Sequence, residues 1–160
     1  AENVLYSGTI GAAMEAALQG LPAIALSQFL GPDNRDLADP FEAAARFGAQ
    51  VVRRLLDAAP WDEEDYRLFY NVNFPPAPAS AVKGTRATTQ GYRRNTRFTV
   101  DPHLSPSGRR FLWIKGGAQH EPTLPGSDAH ANLEGLISVT PMRADLTAHD
   151  RLAHLQDALG

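Results

Sequence analysis

Apolar positions change their period along the chain, and each change marks an element. From Thr9 to Gln19, Ala12, Ala13, Met14, Ala16, Ala17 and Leu18 surround most of a helical circumference, with Glu15 and Gln19 as polar exceptions. This predicts a helix that needs burial on a sheet. Gly20 stops it and Leu21-Pro22 prevents its continuation. Ala23-Ile24-Ala25-Leu26 is then an uninterrupted apolar run, the pattern of a strand covered on both faces. Asp39-Pro40-Phe41-Glu42 supplies an N-cap, a proline at the first helical position and a reciprocal Glu. Phe41, Ala44, Ala45, Gly48, Val51, Val52, Leu55 and Leu56 share one face of the helix that follows, and Pro60 closes it. Leu68, Tyr70, Val72 and Phe74 alternate as in a strand, ended by Pro75-Pro76, and 75–80 reads as a stiff linker.

Beyond Val82 the texture shifts to Thr, Arg and aromatic residues punctuated by Asp101-Pro102 and Ser105-Pro106-Ser107-Gly108, so Phe98–Val100 and Arg109–Lys115 are expected to pair as a hairpin. Asp128 is expected to cap a short helix to about Glu134, Leu136–Val139 to form a strand, and Thr147 or Asp145 to cap a last helix ending at Leu159. Helix followed by buried strand is half of a parallel crossover unit. The first half therefore reads as α/β and the middle as antiparallel. The 160 residues suit one domain. A net charge of −3 gives no wide basic field, which argues against a nucleic-acid partner, and no apolar window approaches a membrane span. The absence of cysteine excludes disulfides and thiolate metal sites and agrees with a cytoplasmic location.

Candidate chemistry concentrates where Tyr6-Ser7-Gly8-Thr9-Ile10-Gly11 runs into the first helix. The first four amides of a helix lack internal partners, and the peptide dipoles place about half a positive charge there, so a phosphate satisfies both. Ser7 and Thr9 add hydroxyls, Gly8 and Gly11 admit a ligand to the backbone, and neither hydroxyl residue is followed three positions later by Glu or Gln. The competing reading is an ordinary Ser N-cap. Arg86, Arg93, Arg94, Arg97, Arg109 and Arg110 gather near Tyr92, Phe98, Phe111 and Trp113, a composition suited to a polyanion or, as favoured here, to a subunit contact. The 5 histidines, His103, His120, His130, His149 and His154, lack metal-ligand spacing and are expected at the surface. Asp62-Glu63-Glu64-Asp65 is expected to be a solvated loop or helix start, and Asn71 and Asn73, on one strand face where they could hydrogen-bond a ligand or a neighbouring loop, are taken as structural. Ser7 lacks the Gly-x-Ser-x-Gly frame of an acyl-transfer nucleophile.

The string from Asn3 to Ser27 closely resembles the second part of the SurE family of nucleotidases. Asn71-Val72-Asn73-Phe74-Pro75, Lys83-Gly84-Thr85-Arg86 with Gln90-Gly91, and Ser127-Asp128 followed by Gly135–Pro141 resemble later motifs of that family. The resemblance implies a Rossmann-like α/β fold whose parallel sheet lacks its first strands, continued by an antiparallel hairpin and a C-terminal helix. It implies hydrolysis of nucleoside 5′/3′-monophosphates, phosphate held by Ser7, Gly8 and Thr9, and one divalent ion, Mg²⁺ or Mn²⁺. The family's metal ligands, an Asp-Asp pair, a Ser and an Asn, would precede Ala1, so the chain is expected to be an impaired fragment of a longer enzyme. Assembly as a homodimer or homotetramer through the hairpin and C-terminal segments is also implied. Unpaired strand edges predict oligomerisation or poor stability. The alternative is a non-catalytic anion-binding or oligomerisation module built on the Arg-rich hairpin.

Overall fold

The computed structural model describes residues 1–62, 65–94, 96 and 98–160. A 3₁₀ turn, Glu2–Tyr6, leads into α1 (Gly8–Leu18), β1 (Ala23–Gln28), α2 (Glu42–Ala58) and β2 (Phe69–Phe74). After a second 3₁₀ turn, Ala79–Ala81, come β3 (Thr85–Ala87), β4 (Thr99–Leu104), β5 (Arg110–Lys115), α3 (Asp128–Leu133) and β6 (Ile137–Met142). A 3₁₀ turn at His149–Arg151 precedes α4 (Leu152–Leu159). Four strands form a sheet in the order β1-β2-β6-β3, and β4 pairs with β5 in a separate ribbon. Pairs β1/β2 and β3/β6 are parallel, whereas β2 and β6 run antiparallel, so the α/β sheet is mixed at its centre. Among the described residues no helix is long and apolar enough to cross a membrane.

Alternation along the strands divides the sheet into two faces. Ala23, Ala25 and Phe69 face α1 and pack with Ile10, Ala13, Ala17 and Val4. Tyr70, Val72, Phe74, Ile137 and Val139 take the other face and pack with Ala43 and Val51 of α2. Covering of β1 is unequal: Ala23 and Ala25 are buried, while Leu26 is 41% exposed.

Several local expectations shift for identifiable reasons. The Asp39/Glu42 capping box does not form; Asp39 Oδ1 accepts the Phe41 amide at 2.9 Å and closes a turn one residue too early. The α2 cap comes instead from β1, where Gln28 Oε1 accepts the Ala44 amide at 3.1 Å. The same Gln28 side chain donates to the Pro75 carbonyl at 2.8 Å and the Phe29 carbonyl at 3.0 Å. Asp101-Pro102 is not a turn but lies within β4, where Pro102 opposes Leu112. A two-stranded ribbon consists entirely of edge strand, so a proline without an N–H is tolerated there. Ser127, not Asp128, caps α3, its Oγ accepting the His130 amide at 3.3 Å. Asp145 Oδ1 accepts the Thr147 amide at 2.8 Å, but α4 starts only at Leu152 because a 3₁₀ turn intervenes.

Candidate anion-binding cleft

Helix α1 covers only the amino-terminal part of its sheet face, leaving the carboxyl end of that face open. There the side chains change character. Ser27 of β1 and Asn73 of β2 are register partners, Asn71 lies two residues earlier, and Asn73 is also opposite Ser138 of β6. A cleft of about 380 Å³ forms at this end, lined in part by Asn3, Ser7, Ser27, Asn71, Asn73 and Asp128. The carboxyl ends of strands beneath a helix N-terminus are the usual ligand position in open α/β sheets.

Ser7 sits at the cleft, but its Oγ is committed to capping, accepting the Ile10 amide at 3.2 Å. One of the helix donors expected to stay open is therefore closed. The Gly8 and Thr9 amides donate to no group among the described residues, and both residues are exposed. The first turn of α1 contains no acidic residue, so its positive end is uncompensated. A Cβ placed on Gly8 or Gly11 would meet nothing within 4 Å, so these glycines leave the helix start open from outside.

Two charged groups complete the wall. Asp128 is buried; its Oδ1 accepts the amides of Gly91 at 2.9 Å and Ala129 at 2.7 Å, and its Oδ2 lies 2.6 Å from the Ala1 nitrogen. A Cβ on Gly91 would stand 2.9 Å from Asp128 Oδ1, so the carboxylate requires glycine here. Arg93, also buried, grips Glu2: Arg93 Nε donates to Glu2 Oε1 at 3.0 Å, Nη2 lies 2.9 Å from the same oxygen, and the Arg93 amide donates to Oε2 at 3.0 Å. Arg93 Nη1 also donates to Gln119 Oε1. Burial pushes the Glu2 pKa up, yet hydrogen bonds from the Arg93 side chain and amide outweigh it and hold it below the usual carboxylate value. Among the described residues no cluster of three or more His, Asp or Glu side chains is placed to hold a metal ion. With Asp128 tied to backbone amides and Glu2 to Arg93, these residues do not fit a divalent-cation site.

The other candidates disperse. Arg86 pairs with Glu134 at 2.8 Å and Arg93 with Glu2, which withdraws both from a free basic surface, while Arg94, Arg109 and Arg110 are exposed; Arg97 lies outside the described residues. Asp62 is no free loop acid, since it accepts the Leu68 amide at 3.1 Å and pairs with Arg143; Glu63 and Glu64 lie outside the described residues. His103 stacks on Phe111, His120 lies against Phe29, and His149 pairs with Asp145, whose pKa falls to about 2 under hydrogen bonds from Thr147 and His149. Asn71 and Asn73, read from sequence as structural although able to bond a ligand, line this cleft together with Asp128 and Arg93. Strand alternation placed both asparagines on one face, but only the three-dimensional packing shows that this face opens beside α1.

A mixed α/β sheet with a helix N-terminus beside an amide-rich cleft at its strand ends places the chain among α/β proteins of this layout. The model of the family described as survival protein SurE matches residues 1–97, and the chain belongs to that family. The 5′-nucleotidase SurE of Cereibacter sphaeroides is 71% identical over 160 residues, covering 100% of this chain and 61% of that protein. The 5′-nucleotidase SurE of Ruegeria pomeroyi is 67% identical over 159 residues, covering 99% and 61%. The crystal structure of the SurE protein from Aquifex aeolicus superposes with a TM-score of 0.69 at 30% identity, covering 99% of this chain and 60% of that one. The chain thus spans about 61% of the length of the curated relatives it matches.

Proposed function

We propose that this chain carries the phosphate-binding part of an enzyme that hydrolyses nucleoside 5′/3′-monophosphates. The observation that carries this reading is the open start of α1, where the Gly8 and Thr9 amides have no partner among the described residues and no acid occupies the first turn. The name 5′-nucleotidase borne by relatives up to 71% identical supports it. In this reading the two amides and the Thr9 hydroxyl hold non-bridging phosphate oxygens, while Ser7 fixes the turn through its bond to Ile10. Hydrogen bonds of this type to a charged group contribute about 1.5–3 kcal/mol each. They strengthen as charge redistributes during displacement of the ester oxygen. A divalent ion, Mg²⁺ or Mn²⁺, belongs to the longer enzyme and would take its ligands from outside these residues.

The purified chain is expected to bind inorganic phosphate in the millimolar range and to turn over AMP or p-nitrophenyl phosphate negligibly with Mn²⁺. Ser7→Ala and Thr9→Val should weaken phosphate binding in a calorimetric titration. Robust turnover by the chain would refute the assignment of the metal ligands to other residues. Absence of any phosphate effect at Ser7 and Thr9 would refute the cradle itself.

The same reading extends to assembly. Ribbon β4–β5 leaves Leu112 69% and Ile114 67% exposed, and α4 buries none of its residues, so both offer apolar surface to further copies of the chain as a homodimer or homotetramer. The Arg-rich module is the weaker alternative, because Arg86 and Arg93 are already paired within the chain.

A further inference from the structure

Among the described residues, most buried polar side chains with a donor use it within the fold. Asn34 bonds the Gly31 amide at 2.8 Å and the Phe29 carbonyl at 2.9 Å, Asn132 donates to the carbonyls of Asn73 and Leu136 at 2.9 Å each, and the Thr88 and Thr140 hydroxyls lie 2.8 Å apart. Asn71 breaks this pattern. It is 4% exposed and lines the cleft, and its Oδ1 accepts from Asn73 Nδ2 at 3.1 Å, yet its own Nδ2 donates to nothing among the described residues. Among the described residues Asn73 Oδ1 accepts from nothing, as does Asn132 Oδ1 in the same cleft, and the wholly buried Ser138 hydroxyl, in register with Asn73, has no partner either. Among the described residues the fully buried side-chain atoms without a partner are His130 Nδ1 and Ser138 Oγ, so the Asn71 nitrogen is open to water through the cleft, and a ligand hydroxyl would replace that water.

We propose that Asn71 and Asn73 form a paired-amide site for the sugar hydroxyls of a phosphorylated ligand, a proposal that rests on the phosphate cradle at the start of α1. The two side chains are locked to each other by one hydrogen bond, which leaves a donor on Asn71 and an acceptor on Asn73 facing the same cleft. A hydroxyl both donates and accepts, so a neutral polyol satisfies the pair. A phosphate only accepts, so it would answer the Asn71 donor and leave the Asn73 acceptor unfilled. The division of labour is therefore charge at the helix start and hydroxyls on the strand floor, with Ser27 beside Asn73 as a further hydroxyl contact.

The test compares inorganic phosphate, ribose 5-phosphate and methyl β-ribofuranoside by calorimetry and amide chemical shifts on the purified chain. Ribose 5-phosphate is expected to bind about tenfold tighter than phosphate, the worth of one or two neutral hydrogen bonds. Asn73→Ala should bring ribose 5-phosphate down to the level of inorganic phosphate. Asn71→Leu should do the same, and if it fails to fold, the half-buried Asn73 site carries the test alone. A sugar increment that is absent, or that survives substitution, means that water alone fills the pair and overturns the proposal while the phosphate cradle stands. If phosphate itself does not bind, the cradle falls and the riboside decides: shifts abolished by Asn73→Ala uphold the amide pair, and no shifts overturn it.

Discussion

Gly91 and Asp128 lie thirty-seven positions apart and meet at one oxygen atom. Because a Cβ at position 91 would press to 2.9 Å on that oxygen, Gly91→Ala forces either the carboxylate or the backbone to shift. A loss of about 2 kcal/mol is expected in urea unfolding, with displaced amide resonances at Ala129. The Glu2–Arg93 pair makes a second test at this scale. Removing the guanidinium by Arg93→Met leaves a partly buried carboxylate uncompensated and should cost about 3 kcal/mol. The pair also imposes a pH dependence. Since Glu2 is more acidic folded than unfolded, its contribution is complete above its ordinary pKa of 4.5 and disappears as the pH falls through the lower folded value. Glu2→Gln should therefore flatten the acid limb of stability measured by thermal melting as the pH falls below the ordinary Glu value of 4.5.

At the level of elements, local pattern made the body of the fold legible and hid its joints. The one-face stripe from Ala44 to Leu55 and the alternation ending at Phe74 appear in the structure as α2 and β2 within one or two residues of where periodicity places them. What periodicity cannot report is a partner distant in sequence. The cap of α2 comes from Gln28, sixteen residues upstream, and it supersedes an Asp39-Pro40 signal that reads well locally. Pro102 looked like a turn because sequence shows the missing N–H but not that the strand has a free edge. The candidate site divides the same way: the Ser7-Gly8-Thr9 turn was visible as chemistry, whereas Asn71 and Asn73 gained meaning only from the position of α1 above their strand. Gln28→Leu is expected to cost about 2 kcal/mol, from the lost helix cap and the lost donor to the Pro75 carbonyl, which keeps only the Ala77 amide. Hydrogen exchange should speed first in the opening turn of α2. Gln28→Glu keeps the acceptor for Ala44 and should preserve helix onset while still destabilising the Phe29–Pro75 corner.

Across the whole molecule, apolar surface is partitioned unevenly. Phe69, Val72 and Phe74 are fully or almost fully buried between two helices, while Leu112, Trp113 and Ile114 stand in solvent on a ribbon against which no element of the body packs broadly. Leu112 and Ile114 share one ribbon face with their cross-strand partners Pro102 and Val100, and a monomer rarely leaves such an apolar face uncovered. Light scattering coupled to gel filtration is expected to give a mass above the 17.3 kDa of one chain, and Leu112→Glu with Ile114→Glu should shift it toward that value with little change in the intrinsic unfolding of the sheet. The ribbon has one more consequence. With cross-strand partners from Thr99↔Lys115 to Leu104↔Arg110 as its main support, its amides have little to shelter them in an isolated chain. Deuterium uptake there therefore works as a gauge of quaternary state that can be read without touching the cleft, fast when chains are dilute and slow once a neighbour closes over the strands.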